Sequence, residues 1–370
     1  MKSSKPKTTR SLLAALALCT GLLGRAEEQP QPIDGVLTFD VPEGAVVRYA
    51  EPLGADIRQL VKLGAGTLVV TNDANGAFLG TVEVRAGVLE AQSALTTTLN
   101  VLGSRAENTI TVSAGAQLVA RIPIQGQFTK RFPNNLVLAG NGPDGRGALL
   151  FVRSGGSSWN NDHLFSNVTL AEDAGVNMMG GGRMGFDGRL DFNGHTLTYR
   201  SYASGTSDSL IFSGSQTVFR NGHLKVVNGG GVTWQGTKTF EGGPDCTVTI
   251  GQGGKLDLWG AAFAGDLWTF VFEEGTFLRM GAGTKASENI LPMPIRLDGN
   301  VTVGNYMSTA NMRTTLSGTL AGAGRLTMAA TSKNAALWLT GTANDGWSGG
   351  LSANAGTVWA TVPGSLGTGP

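Results

Sequence analysis

The chain has 370 residues, of which 56 are Gly and only 15% are charged, against a usual charged share of about 25%. A hydrophobic content of 41% excludes a polar disordered chain, and a formal net charge of +1 excludes a broad nucleic-acid or anionic-membrane surface. Length leaves the domain count open, because a repeat array uses this many residues as one body.

In chain order, Lys2, Lys5, Lys7 and Arg10 form a basic head before the apolar run Ser11 to Leu23, and Gly24-Arg25-Ala26 supplies small residues for cleavage. Residues 1–26 therefore read as an export signal. The apolar run, about 13 residues, is too short for a membrane span of roughly 30 Å. Leu18 also stands before Cys19 where a lipid-attachment box takes a small residue. Cleavage leaves 23 basic and 27 acidic residues, a net charge of −4, and Cys246 as the one remaining cysteine, so no intrachain disulfide forms. No integral membrane segment is expected in the mature chain. The expected location is the cell surface, the outer membrane periphery or the medium. Residues 27–35, with Pro30 and Pro32, read as a flexible lead-in to a β-domain over 36–370.

From Val36 onward, short Val-, Leu- and Thr-rich runs such as Leu68 to Thr71, Thr81 to Val84, Thr109 to Val112, Leu136 to Leu138, Thr247 to Ile250 and Phe270 to Phe272 alternate with Gly, Asn, Asp or Pro. One phrase recurs, a small or acidic residue followed by Gly and a new β-run. It stands at Glu43-Gly44, Ala86-Gly87, Ala114-Gly115, Ala174-Gly175, Gly253-Gly254, Glu274-Gly275 and Ala355-Gly356. Glycine turns the chain at positive φ without steric cost, so the phrase reads as a repeated corner. Its gaps of 43, 28, 60, 79, 21 and 81 residues, all but the 28, lie near multiples of about 20, inside the range of solenoid repeats. A helix of coils is favoured over a closed ring of blades, which needs nearly equal spacing.

Two windows match more closely. Leu63-Gly64-Ala65-Gly66-Thr67-Leu68 and Leu320-Ala321-Gly322-Ala323-Gly324-Arg325-Leu326 both set Gly-Ala-Gly before a Leu run. Phe78 stands two residues before Gly80 and nine before Gly87, as Trp347 does before Gly349 and Gly356, which makes both aromatics core plugs at one site of the unit. Leu60 to Leu68 followed by Gly80 to Leu89 resembles the autotransporter-associated β-strand repeat, also called the passenger-associated transport repeat, which runs from Lys-x-Gly-x-Gly-Thr-Leu to a final Ala-Gly-x-Leu. Leu190 to Thr198 and Leu316 to Leu326 are similar to segments that precede the repeat in such passengers. The resemblance covers about a third of the chain. It implies a right-handed parallel β-helix of pectin-lyase-like architecture exported to the cell surface, with no catalytic residues to carry over. The sequence departs from that pattern in two places. The turn is altered to Asn75-Gly76-Ala77-Phe78-Leu79-Gly80 and Asn344-Asp345-Gly346-Trp347-Ser348-Gly349, and no run of alternating membrane strands closes the chain. Ser365 to Pro370 stops where similar passengers begin another coil, so a truncated C-terminus or end-to-end self-association is expected.

Chemistry-bearing residues are sparse. His163, His195 and His223 are too far apart for a local metal motif, and Asn193-Gly194-His195 and Asn221-Gly222-His223 read as one corner repeated. Asp187 and Asp191 share strand parity, as an acid and base would, but Gly188 interrupts them. Asn160-Asn161-Asp162 and Met178-Met179-Gly180-Gly181-Gly182-Arg183 read as loops, the latter without the Lys-Ser/Thr of a phosphate loop. Trp159, Trp234, Trp259, Trp268 and Trp338 either pack the core or line a sugar-binding strip. No catalytic, metal or cofactor site is therefore assigned. The expected function is a non-catalytic, adhesin-like surface passenger presenting loops to extracellular glycans or envelope components. A polysaccharide lyase or glycoside hydrolase, and a carbohydrate-binding module, remain as alternatives on the same scaffold.

Overall fold

The strands that the sequence marks by Val, Leu and Thr pair side by side in one sense only, each with the strand one coil earlier and one coil later. The computed structural model describes residues 30–93, 100–123, 130–154, 162–180, 183–202, 209–213, 216–227, 229–282, 287–306, 311–330 and 334–369. The export signal, Trp159, Asn160, Asn161, Gly181 and Gly182 lie outside them. Residues 1–31 fall in a separate unit, and Pro32–Pro370 holds all the named strands.

About 56% of the chain is strand and 1% helix, and the strands build a parallel β-solenoid of about 11 turns. Three ladders run along it. The first starts with Val36–Asp40 on Gln59–Leu63 and Thr81–Val84. The second starts with Val46–Tyr49 on Thr67–Val70 and Val88–Gln92. The third starts with Lys130–Phe132 on Asp162–Phe165 and continues to Leu351–Ala355. Ser287–Leu291, Met312–Leu316, Ala335–Leu339 and Thr357–Ala360 form a further parallel sheet. It packs on the strand Lys255–Gly265, where Asn289 Oδ1 accepts the backbone N–H groups of Gly260 and Ala261.

Strand pleating sends alternate side chains inward. In Thr247–Ile250, Val248 and Ile250 are fully buried between half-exposed threonines. The inward positions of successive coils stack into one continuous core, thickest in aromatics where Phe219 stacks on Phe240 at 5.0 Å and Trp234 meets Phe270 edge-on at 5.3 Å. A single coil cannot enclose such side chains, so its neighbours supply both core and hydrogen-bond partners.

Coil length is variable. Val46 pairs with Thr67, a step of 21 residues, whereas Leu136 pairs with Val168, a step of 32. The recurrent Gly phrase does not measure this step, because it marks different corners. Gly44, Gly87 and Gly115, all at positive φ, join the first ladder to the second, while Gly253 and Gly275 join the second to the third. Gly175 is no corner at all and lies inside the strand Val168–Met179.

The two Gly-Ala-Gly windows make the same close approach at different corners of the solenoid, Gly66 leading into the second ladder and Gly324 into the third. A Cβ on Gly66 would lie 2.2 Å from the Pro42 carbonyl oxygen, and one on Gly324 would lie 2.0 Å from that of Gly299, in each case on the preceding coil. Gly66 N–H donates to Val41 O and Gly324 N–H to Leu297 O, both at 2.9 Å. Only glycine permits this approach. Lys62, at the head of the first window, is fully buried and donates from Nζ to the carbonyls of Leu63, Gly64 and Ala86, lashing two corners together. Burial holds its pKa below the usual lysine value.

The altered Asn turns keep their geometry. Asn75 O accepts from Phe78 N–H at 3.1 Å and Asn344 O from Trp347 N–H at 2.9 Å. The side chains act alike too: Oδ1 accepts from the preceding coil, at Leu53 N and Leu320 N, and Nδ2 donates to the following one, at Val101 O and Ser365 O. Both aromatics are fully buried, as expected of plugs. They do not share a side of the solenoid, however. One strand, Thr67–Val70, separates Gly66 from Phe78, whereas Leu326–Ala329 and Ala335–Leu339 separate Gly324 from Trp347.

Candidate functional site

The residues that sequence spacing suggested as acid and base are kept apart. Asp187 follows the third-ladder strand Arg183–Phe186 and pairs with Arg131, whereas Asp191 ends the first-ladder strand Arg189–Asp191 and pairs with Arg220 at 3.2 Å. His195 and His223 occupy stacked corners, with His223 N–H donating to His195 O at 3.0 Å. Asn193 and Asn221 beside them both take positive φ, the repeated corner that the tripeptides suggested. Their rings turn to different partners, His195 toward Asp173 and His223 to the Thr247 hydroxyl. The side chain of His163 lies outside the described residues. Among those described, no cluster of three or more His, Cys, Asp or Glu is present, and no helix is long and apolar enough to cross a membrane.

Charge is ordered by the stacking itself. Parallel strands about 4.8 Å apart place register partners in contact, so like charges repel and opposite charges bond. Asp191, Arg220 and Glu241 are successive partners in one row, and Arg220 bonds both acids. Asp257 is the register partner of Arg279, whose Nε and Nη2 donate to its two oxygens, and Thr233 donates to it at 3.4 Å. Although on the outward side of its strand, Asp257 is 1% exposed, and burial raises its carboxyl pKa against the pull of Arg279. Lys255 on the same strand is lowered by burial and then by Arg279. Asp, Lys and Arg thus do converge on consecutive coils. With both carboxylate oxygens bonded and no solvent access, Asp257 is built as a structural clamp.

The tryptophans divide. Trp234 and Trp268 are fully buried, so neither belongs to a surface strip. Trp259 is half-buried, with the Arg183 guanidinium 5.3 Å from its ring centre. Trp338 faces outward from Ala335–Leu339, and its register partner on the next coil is Trp359, 51% exposed. Their rings stack at 5.5 Å and 26°, and Arg313 caps the stack with its guanidinium carbon 4.1 Å from the Trp338 ring centre. Glu288, the register partner of Arg313, holds that guanidinium at 3.4 Å. Beside the stack, at Ala336, the row drops to a methyl group and leaves an open depression of about 430 Å³ lined also by Asn311 and Asn334.

The chain matches no protein-family model, no curated protein and no solved structure. The functional reading therefore rests on the sequence and the geometry. Trp359, Arg313 and Glu288 escape a reading of the sequence. The signal that finds them is the 21-residue step from Trp338 to Trp359, one coil length, which is recognisable only once the coil is known.

Proposed function

We propose that this chain is the exported, non-catalytic solenoid of a cell-surface protein of the autotransporter-associated repeat type, a stiff scaffold that presents outward side chains to glycans or envelope components. The observation that carries the reading is the shared geometry of the two repeat windows, in which Gly66 and Gly324 approach the coil before, and Asn75 and Asn344 bond the coils on both sides. Repeats that exist to pass load from coil to coil suit a scaffold. The separation of Asp187 from Asp191, and the clamping of Asp257, favour it over a polysaccharide lyase or hydrolase.

Two assays test this. In cells producing the full chain, an antibody against the solenoid should label intact cells, and deletion of residues 2–26 should abolish labelling; labelling that survives the deletion refutes signal-dependent export. Purified protein should leave a panel of plant and microbial polysaccharides at full length. Reproducible depolymerisation that disappears on Asp257→Asn substitution would make the protein an enzyme.

A further inference from the structure

We infer that the Arg313–Trp338–Trp359 stack and the depression beside it form a binding subsite for a neutral pyranose unit of a glycan. The inference rests on the scaffold reading and names one surface by which the scaffold engages its partner. A sugar ring has an apolar C–H face and a rim of hydroxyls, so it needs an aromatic plane beside donors and acceptors of both kinds. Those elements meet here on four consecutive coils. Trp359 supplies the free indole face, backed by Trp338, which Arg313 covers on its other side; Asn311 and Asn334 contribute amides to the lining, and Glu288 and Arg313 add an acceptor and a donor.

Charge decides between ligands. Arg313 is already held by Glu288 at 3.4 Å and by the Trp338 face, and its Nε donates to Thr315 Oγ1 at 3.3 Å. The pair is neutral as a whole, so it offers no excess positive charge to a phosphate or uronate. Nor does the surface suit an apolar peptide helix, because in the rows around the rings only Ile290, 48% exposed, extends the hydrophobic patch. Ala336 is the feature that makes room. It lies in register with Arg313, two residues before Trp338, and a larger side chain there would fill the depression.

The test is titration of the full mature chain with soluble neutral hexasaccharides (β-1,4-glucan, α-1,4-glucan, β-1,3-glucan, β-1,4-mannan) and with oligogalacturonate as the anionic comparison. Tryptophan fluorescence and calorimetry read the binding. At least one neutral hexasaccharide should bind and perturb the fluorescence, and Trp359→Ala should weaken it about tenfold or more. Ala336→Phe should abolish binding with both tryptophans intact, and Trp359→Phe should retain part of it. Thermal unfolding should stay unchanged in Trp359→Ala, since the ring is half in solvent. The proposal is overturned if no neutral glycan binds, if only oligogalacturonate binds, or if binding survives Ala336→Phe and Trp359→Ala. Those results leave the scaffold reading to be judged by surface labelling, which does not depend on this subsite.

Discussion

Lys238 should make stability climb with pH in a range where most proteins lose it. The residue points into the core from the strand Gly231–Glu241, is fully buried, and has Thr217 and Phe263 as register partners. Its Nζ donates to the carbonyls of Gln235 and Thr237, and burial pushes its pKa from 10.5 down to about 8. A base whose folded value is depressed holds its proton more tightly when unfolded. Between pH 8 and 10.5 the unfolded chain therefore binds the extra proton, and folding gains stability as pH rises. The difference between 10.5 and about 8 corresponds to about 3 kcal/mol. Urea unfolding of wild type and Lys238→Met, followed by tryptophan fluorescence from pH 7 to 11, isolates this from other titrating groups. Relative to wild type, Lys238→Met should be about 3 kcal/mol better placed at pH 7 than at pH 11, whatever constant offset the lost hydrogen bonds add. A stability difference that stays flat across that range would show that Lys238 titrates normally, and the argument for a dry, enclosed position would fail.

Asn344→Ala should cost about 2–4 kcal/mol in urea unfolding, because it strands the Leu320 N–H and Ser365 carbonyl of two neighbouring coils. Gly324→Ala should destabilise by more than about 3 kcal/mol, through a Cβ 2.0 Å from Gly299 O, whereas Gly76→Ala, with no atom within 4 Å, should be neutral within about 0.5 kcal/mol. Calorimetric melting would separate the two. Asp257→Leu alone should lose about 3–5 kcal/mol by leaving Arg279 buried without its partner, and adding Arg279→Met should restore most of it; a double mutant as unstable as the single would contradict the clamp.

The corners were legible in the sequence because positive φ selects glycine, and Gly44, Gly87, Gly115, Gly253, Gly275 and Gly356 all adopt it. The parallel solenoid followed from them and from the inward-outward alternation of short runs such as Thr247–Ile250. The period was not legible. The same phrase serves corners between different ladders, and coil length is not constant, the step from Leu136 to Val168 being 32 and that from Val46 to Thr67 being 21. Everything that depends on coil length was hidden for the same reason. Asp257 meets Arg279 across 22 residues, Glu288 meets Arg313 across 25, and Trp338 meets Trp359 across 21, so no single spacing reveals all three. The Asn turns depart from the repeat pattern in sequence and keep its geometry. Their middle residues changed, but the Asn amide and the aromatic plug, which carry the hydrogen bonds and the packing, did not.

The stacking itself is tested most directly by distances along one row of register partners. Thr38, Val61, Glu83, Thr111, Val137 and Thr169 follow one another in that order, each on the next coil. Spin labels on cysteines at Thr38 and Thr111, three coils apart, should lie about 14 Å apart, and at Thr38 and Thr169, five coils apart, about 24 Å. Pulsed dipolar spectroscopy on a Cys246→Ser background should return two narrow distributions in that ratio. Broad distributions, or a Thr38 to Thr169 distance no longer than that to Thr111, would contradict coils wound in register.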